Sequence, residues 1–104
     1  MRLRRPPQVH LDTCHFRGNF PESAQVEVAS VPEGTAFDPA AATWSPLLAR
    51  TKMSADAIHA FSANKGELVV CDEAKGGAFS HLRVTIFPDG GIMRVRAFGK
   101  PSAL

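Results

Sequence analysis

The feature that most constrains the fold is a pair of alternating apolar segments on either side of a Pro-Asp-Gly-Gly stretch at residues 88–91. Within residues 79–87, Leu82, Val84 and Ile86 alternate with polar side chains, and within residues 92–98, Met93, Val95 and Ala97 alternate with arginines. This two-residue period is that of a β-strand with one buried face. Proline followed by Asp-Gly-Gly supplies the backbone conformations of a tight turn. The pattern therefore predicts a β-hairpin in which Gly90 and Gly91 both adopt a positive φ angle.

Shorter segments of the chain predict further strands at residues 8–13, 24–31 and 67–72, and a short edge strand or an extended arm at residues 44–53. Residues 54–61 predict a short helix, because they begin with Ser54, a residue that can cap a helix. Three side chains of the third strand are predicted to be core anchors: Trp44, Leu47 and Leu48. No long helical period is present, and strands recur about every dozen residues. These observations predict an all-β fold, a β-sandwich of the jelly-roll type.

Composition excludes several classes of protein. The chain has 104 residues, of which 44% are hydrophobic and 21% charged, as is typical of a single globular domain. No apolar run approaches the roughly 18 residues that a membrane span requires. A net charge of +2 is too weak for a nucleic-acid footprint. Because no apolar segment follows the basic N-terminus, we predict no secretory leader and a cytoplasmic protein.

A cluster of polar side chains begins at the end of the first predicted strand. Its members are Asp12, His15, Arg17, Asn19 and Glu22. A carboxylate near an imidazole can act in general acid–base catalysis, because histidine side chains titrate near neutral pH. In the alternative interpretation, Asp12 and Asn19 hydrogen-bond the turn backbone and His15 is a surface residue. Such loop caps are common, which favours this structural alternative.

Three arginines, Arg83, Arg94 and Arg96, share the polar face of the predicted hairpin. Since a guanidinium binds a carboxylate bidentately, three of them on adjacent strands would form a clamp for a small anionic substrate. The alternative is cross-strand pairing with one of three carboxylates, Glu27, Glu67 and Glu73. Exposed pairs of that kind contribute only about 0 to 1 kcal/mol. The sequence leaves both interpretations open.

Metal and thiol chemistry have weaker support. The four histidines show no HxH, HxxxH or HExxH spacing, so we predict no metal ligands and leave the cofactor unknown. Cys14 and Cys71 form no CxxC pair, and we predict that both are free thiols in a reducing compartment.

Two segments of the chain resemble the repeat domain of the allantoicase family. Residues 11–23 (LDTCHFRGNFPES) are similar to its DT-x-HF-x-GN-x-P pattern, and residues 81–99 (HLRVTIFPDGGIMRVRAFG) to its H-x-R, PDGG and R-x-R-x-x-G elements. A tryptophan-led strand at Trp44 and an H-x-F element at residues 59–61 extend the similarity over the chain from about Val9. The resemblance implies a galactose-binding-like β-sandwich. In the full-length enzyme it implies hydrolysis of allantoate to ureidoglycolate and urea.

The resemblance also suggests that part of the family domain is absent. The family enzyme carries two such domains, and each begins with strands that have no counterpart before Met1. We therefore expect a truncated second repeat, with a basic segment at residues 1–8, a partial domain at 9–99 and a tail at 100–104. We also expect a homo-oligomer, or a partner domain of the same family, to complete the pocket, and we expect no nucleic-acid or membrane partner.

Roles for the candidate residues follow from the chemistry of allantoate, which carries a carboxylate and two ureido groups on one carbon. Cleavage requires an anion clamp, a proton donor for departing urea and a base for water. The assignments are Arg83, Arg94 and Arg96 to the clamp, His15 with Asp12 to proton transfer, and Asn19 to a ureido carbonyl. The alternative function is a non-catalytic β-sandwich module that binds a small ligand without turnover.

Overall fold

The computed structural model describes residues 3–31, 34, 36–62, 65–68 and 78–101, which form β-strands and contain no α-helix. The strands are β1 (Leu3–Asp12), β2 (Ser23–Ala29), β3 (Ser45–Lys52), β4 (Ile58–Ser62), β5 (Ala78–Phe79), β6 (His81–Phe87) and β7 (Arg94–Pro101). None of the described residues forms a helix that could cross a membrane. The prediction of an all-β fold is confirmed.

The strands form two antiparallel sheets. In sheet A, β1 is central, with β7 along one edge and β4 and β5 along the other. In sheet B, the order is β3-β2-β6. The inner faces of the two sheets pack together, so the molecule is a β-sandwich.

The core consists of the apolar side chains on these inner faces. Its buried members include Val9, Leu11, Ala24, Val26, Val28, Leu47, Leu48 and Phe79, and Leu82, Val84 and Ile86 pack against it. The alternation in β2 and β6 therefore predicted the buried faces correctly. Trp44 is a correction, because it is half-buried and lies over the outer face of sheet B instead of in the core.

The predicted hairpin at residues 79–98 is wrong. Strand β6 pairs with β2 in sheet B, whereas β7 pairs with β1 in sheet A, so residues 88–93 cross from one sheet to the other. An alternating pattern reports which face of a strand is buried and does not identify its partner strand. Gly90 has the predicted positive φ, 132°, but Gly91 is not among the positive-φ residues of the described chain.

Several other boundaries differ from the sequence prediction. The predicted helix at residues 54–61 is wrong, because residues 54–57 form a turn and β4 follows, paired along β1. Strand β1 begins at Leu3, five residues before the predicted strand at Gln8. Most of the strand predicted at 67–72, with Cys71, lies outside the described residues.

Candidate functional site

The loop after β1 and the crossing segment before β7 are in direct contact. The backbone amide of Gly91 donates to the carbonyl oxygen of Asn19 at 2.7 Å. The amide of Met93 donates to the carbonyl oxygen of Asp12 at 2.8 Å. Both segments carry the motifs of the family resemblance, so two motifs that are far apart in the sequence meet at one end of the sandwich.

Two glycines allow this close approach. A Cβ atom on Gly90 would collide with the backbone at Phe20 and Pro21, and one on Gly91 would collide with the ring of Phe16. From the sequence, both glycines were predicted to be required by a tight turn. The structure shows that they are needed because the loop after β1 packs directly on them.

Asp12 has a structural role at the start of that loop. Its Oδ1 accepts a hydrogen bond from the amide of Cys14 at 2.8 Å. Hydrogen bonds from the thiol and amide of Cys14 lower the pKa of Asp12, and the charges of Arg94 and Arg96 lower it further. The same hydrogen bond to Asp12, together with burial, raises the pKa of the Cys14 thiol. Asp12 is therefore held as a carboxylate, and Cys14 is a free but protonated thiol.

His15 is exposed and adopts a left-handed backbone with φ of 72°. Its amide donates to Oδ1 of Asp56 at 2.8 Å. Within the described ranges, no hydrogen bond joins its imidazole to the carboxylate of Asp12. The structure thus places Asp12 at the end of β1 and His15 in the loop that follows, but it does not pair their side chains. The turn-capping role left open for Asp12 is present. Asn19 lies farther along the same loop with an exposed side chain.

Arg94 and Arg96 lie on the outer face of sheet A. In the register of β1 and β7, Arg94 is opposite Asp12 and Arg96 is opposite His10. Both side chains are exposed, and neither forms an ion pair with a carboxylate in the part of the chain that the structure describes. Two guanidiniums thus remain available for an anion beside the loop after β1.

Arg83 is not part of this group, which corrects the predicted three-arginine clamp. It lies on the outer face of sheet B opposite Glu27, and its guanidinium binds the Glu27 carboxylate at 2.8 Å. It also stacks over the ring of Trp44 at 4.2 Å. The physical reason is the crossing of residues 88–93, which puts β6 and β7 in different sheets.

His59 belongs to the H-x-F element, but the sequence did not predict its structural role. Its Nε2 accepts a hydrogen bond from the amide of Ser54 at 2.9 Å, because a backbone amide can only donate. Its Nδ1 therefore carries the hydrogen and donates to the carbonyl oxygen of Leu11 at 3.0 Å. Thr13 adds a donor hydroxyl to the carbonyl oxygen of Ser54 at 2.7 Å. Together they fasten the turn at residues 54–57 to the end of β1.

No group of three or more His, Cys, Asp or Glu side chains within the described residues is arranged to hold a metal ion.

Comparison with known proteins gives consistent results for sequence and structure. The family model described as the allantoicase repeat matches residues 5–102. The chain is 40% identical over 95 residues to a probable allantoicase from Stutzerimonas stutzeri, covering 89% of this chain and 26% of the relative. It is 37% identical over 93 residues to probable allantoicase 1 from Burkholderia mallei, covering 89% of this chain and 24% of the relative.

Among solved structures, the chain is similar to the crystal structure of allantoicase from Saccharomyces cerevisiae. The TM-score is 0.72 at 28% identity, and the match covers 96% of this chain and 25% of the yeast chain. The chain therefore spans about a quarter of the length of the relatives that it matches.

Proposed function

We propose an allantoicase-type function for this chain, on the premise that it belongs to the allantoicase repeat family, as its two motif segments predicted. In the proposed reaction, allantoate and water give ureidoglycolate and urea. The observation that carries the proposal is the contact between the two motif segments, made through Gly91 and Asn19. Since the relatives are longer than the matched region, the proposal includes a partner copy or a further domain of the same family at this site.

Arg94 and Arg96 bind the carboxylate of allantoate in this proposal. They project from the same face of β7, two residues apart, and have no carboxylate partner among the described residues. A guanidinium–carboxylate hydrogen bond is charge-assisted and directional, so it fixes the orientation of the tetrahedral carbon that carries the ureido groups. Asp12 lies opposite Arg94 but accepts a hydrogen bond from the amide of Cys14, so it leaves that guanidinium available to the substrate.

His15 and Asn19 act on the ureido groups. The oxygen of water replaces one ureido nitrogen on the central carbon, and one proton of that water leaves with the urea product. The imidazole of His15 accepts this proton from water and returns it to the departing nitrogen. The side-chain amide of Asn19 donates a hydrogen bond to a ureido carbonyl and thus polarises it. Both side chains are exposed on the loop after β1 and are free to meet a substrate.

The test is to incubate the purified protein with allantoate and to measure urea and ureidoglycolate. We expect equal amounts of the two products. Arg94→Ala should reduce their formation, whereas the control Arg50→Ala should not, because Arg50 lies on sheet B over the ring of Phe87. A folded protein that releases no urea would contradict the proposal. Calorimetric binding of allantoate without urea release would support the non-catalytic binding module instead.

A further inference from the structure

We propose that Asp56 is a positioning residue that sets the backbone conformation of His15 for proton transfer, an inference that rests on the proposed function of the loop after β1. Asp56 lies in the turn at residues 54–57, which precedes β4. Neither the sequence pattern nor the assigned roles of the site include it.

Asp56 and the loop after β1 exchange two hydrogen bonds. Oδ1 of Asp56 accepts from the amide of His15 at 2.8 Å. The amide of Asp56 donates to the carbonyl oxygen of Phe16 at 3.1 Å. The two bonds hold the chain on both sides of the His15–Phe16 peptide, and with it the direction of the His15 side chain.

The backbone at both residues is unusual. His15 has a φ of 72° and Asp56 a φ of 49°, and these are the only non-glycine residues with positive φ in the described part of the chain. Residues other than glycine adopt a positive φ at an energetic cost, and they keep that conformation where the surrounding contacts hold them in it. Here the contacts that hold each residue come from the other segment.

The turn that carries Asp56 is itself firmly attached. The amide of Thr13 donates to the carbonyl oxygen of Ala57 at 2.8 Å, and the Thr13 hydroxyl accepts from the amide of Ala57 at 3.1 Å. His59 accepts from the amide of Ser54 on the other side of the turn. The second carboxylate oxygen of Asp56 lies 3.7 Å from the guanidinium of Arg17, an exposed side chain. Since exposed ion pairs contribute little, the structural role of Asp56 depends on its Oδ1 acceptor and not on its charge.

Three substitutions at Asp56 distinguish the effect of its Oδ1 hydrogen-bond acceptor from the effect of its positive φ. Asp56→Asn keeps an Oδ1 acceptor and tolerates positive φ. Asp56→Gly loses the acceptor and tolerates positive φ, and Asp56→Ala loses the acceptor and is strained. We expect kcat to fall at least about tenfold in the Gly and Ala variants, with KM within about twofold, because misplacement of a catalytic group affects the reacting geometry and not the arginine clamp. Asp56→Asn should stay within about twofold of wild type in kcat, since its acceptor remains.

Two further readouts distinguish positioning from a general loss of structure. Amide hydrogen exchange of His15 should be faster in Asp56→Gly than in wild type and unchanged in Asp56→Asn. In a His15→Ala background, Asp56→Gly should cause no further loss of kcat, because Asp56 acts through His15. Equal kcat values for Asp56→Asn and Asp56→Gly would overturn the proposal. So would an additional loss in the His15→Ala background.

The proposed function and this inference can fail separately. If the wild-type protein releases no urea, the proposed function fails, and the exchange of the His15 amide still decides whether Asp56 holds that residue. If the wild type is active and Asp56→Gly exposes the His15 amide while kcat is unchanged, the proposed function stands and the positioning role is refuted.

Discussion

Gly90→Ala should destabilise the protein more than any other single-methyl addition at a glycine of the described loops. Two costs add at this position. The φ of 132° is rarely adopted by a residue with a side chain, which costs about 1 to 3 kcal/mol. The new Cβ would also meet the backbone of Phe20 and Pro21, and backbone cannot move aside as a side-chain end can. Overpacking of this kind costs about 1 to 3 kcal/mol, so the total is about 2 to 6 kcal/mol.

Two other glycines provide matched controls. Gly66 has a positive φ of 72° but nothing within 4 Å of the place that a methyl group would occupy, so Gly66→Ala carries only the backbone cost of about 1 to 2 kcal/mol. Gly18 has open space and no positive φ, so Gly18→Ala should change stability by less than about 0.5 kcal/mol. Thermal melts of the three variants measure the order. If Gly90→Ala melts at the same temperature as Gly66→Ala, the packing of residues 88–91 against the loop after β1 is refuted.

Three further predictions concern charged side chains. Arg83→Ala should lower the free energy of unfolding by about 1 kcal/mol, because the contacts with Glu27 and the ring of Trp44 are lost. Urea release should not change. Thermal melts and product assays check the two expectations. Arg94→Ala and Arg96→Ala should each raise KM for allantoate about 10- to 100-fold with little change in stability, as steady-state kinetics would show. The folded-state pKa of Asp12 is lowered from 3.8, so its contribution to stability is complete above about pH 4 and is lost as the pH falls through the folded value. Asp12→Asn should therefore weaken the pH dependence of stability between about pH 2 and pH 5, measured as the midpoint of unfolding in guanidinium chloride. An unchanged pH dependence would contradict the hydrogen bonds that Asp12 accepts from Cys14.

The alternating pattern predicted the buried faces of β2 and β6 correctly, but Met93 and Val95, which it also predicted to be buried, are exposed. It could not predict which strands pair. Residues 79–87 were predicted as one strand, yet the structure divides them at Ser80 between β5 of sheet A and β6 of sheet B. The amide of Ser80 donates to the carbonyl oxygen of Ala29, a contact from a distant part of the chain. The predicted helix at residues 54–61 failed for a similar reason, because pairing of β4 with β1 outweighs a local capping signal.

The candidate site was predictable only where its members are close in sequence. Asp12 ends β1, and His15 and Asn19 lie in the loop that follows it, as the motif at residues 11–23 predicted. The roles of Asp56 and His59 depend on hydrogen bonds to His15 and Leu11, which are more than 40 residues away in the chain, and no local pattern reports such contacts. The sequence correctly predicted that Arg94 and Arg96 share one face of β7. It could not predict that the chain crosses to the other sheet between Arg83 and Arg94.

The proposed allantoate site is tested most directly by titrating allantoate into isotopically labelled protein and following the backbone amide signals by NMR. We predict concentration-dependent shifts in both motif segments, at His15 and Asn19 in the loop after β1 and at Arg94 and Arg96 in β7. The backbone amides of residues whose side chains lie on the outer face of sheet B, such as Arg83, should not shift. Shifts confined to sheet B, or none at saturating allantoate in the folded protein, would contradict the claim that these two segments form the allantoate site.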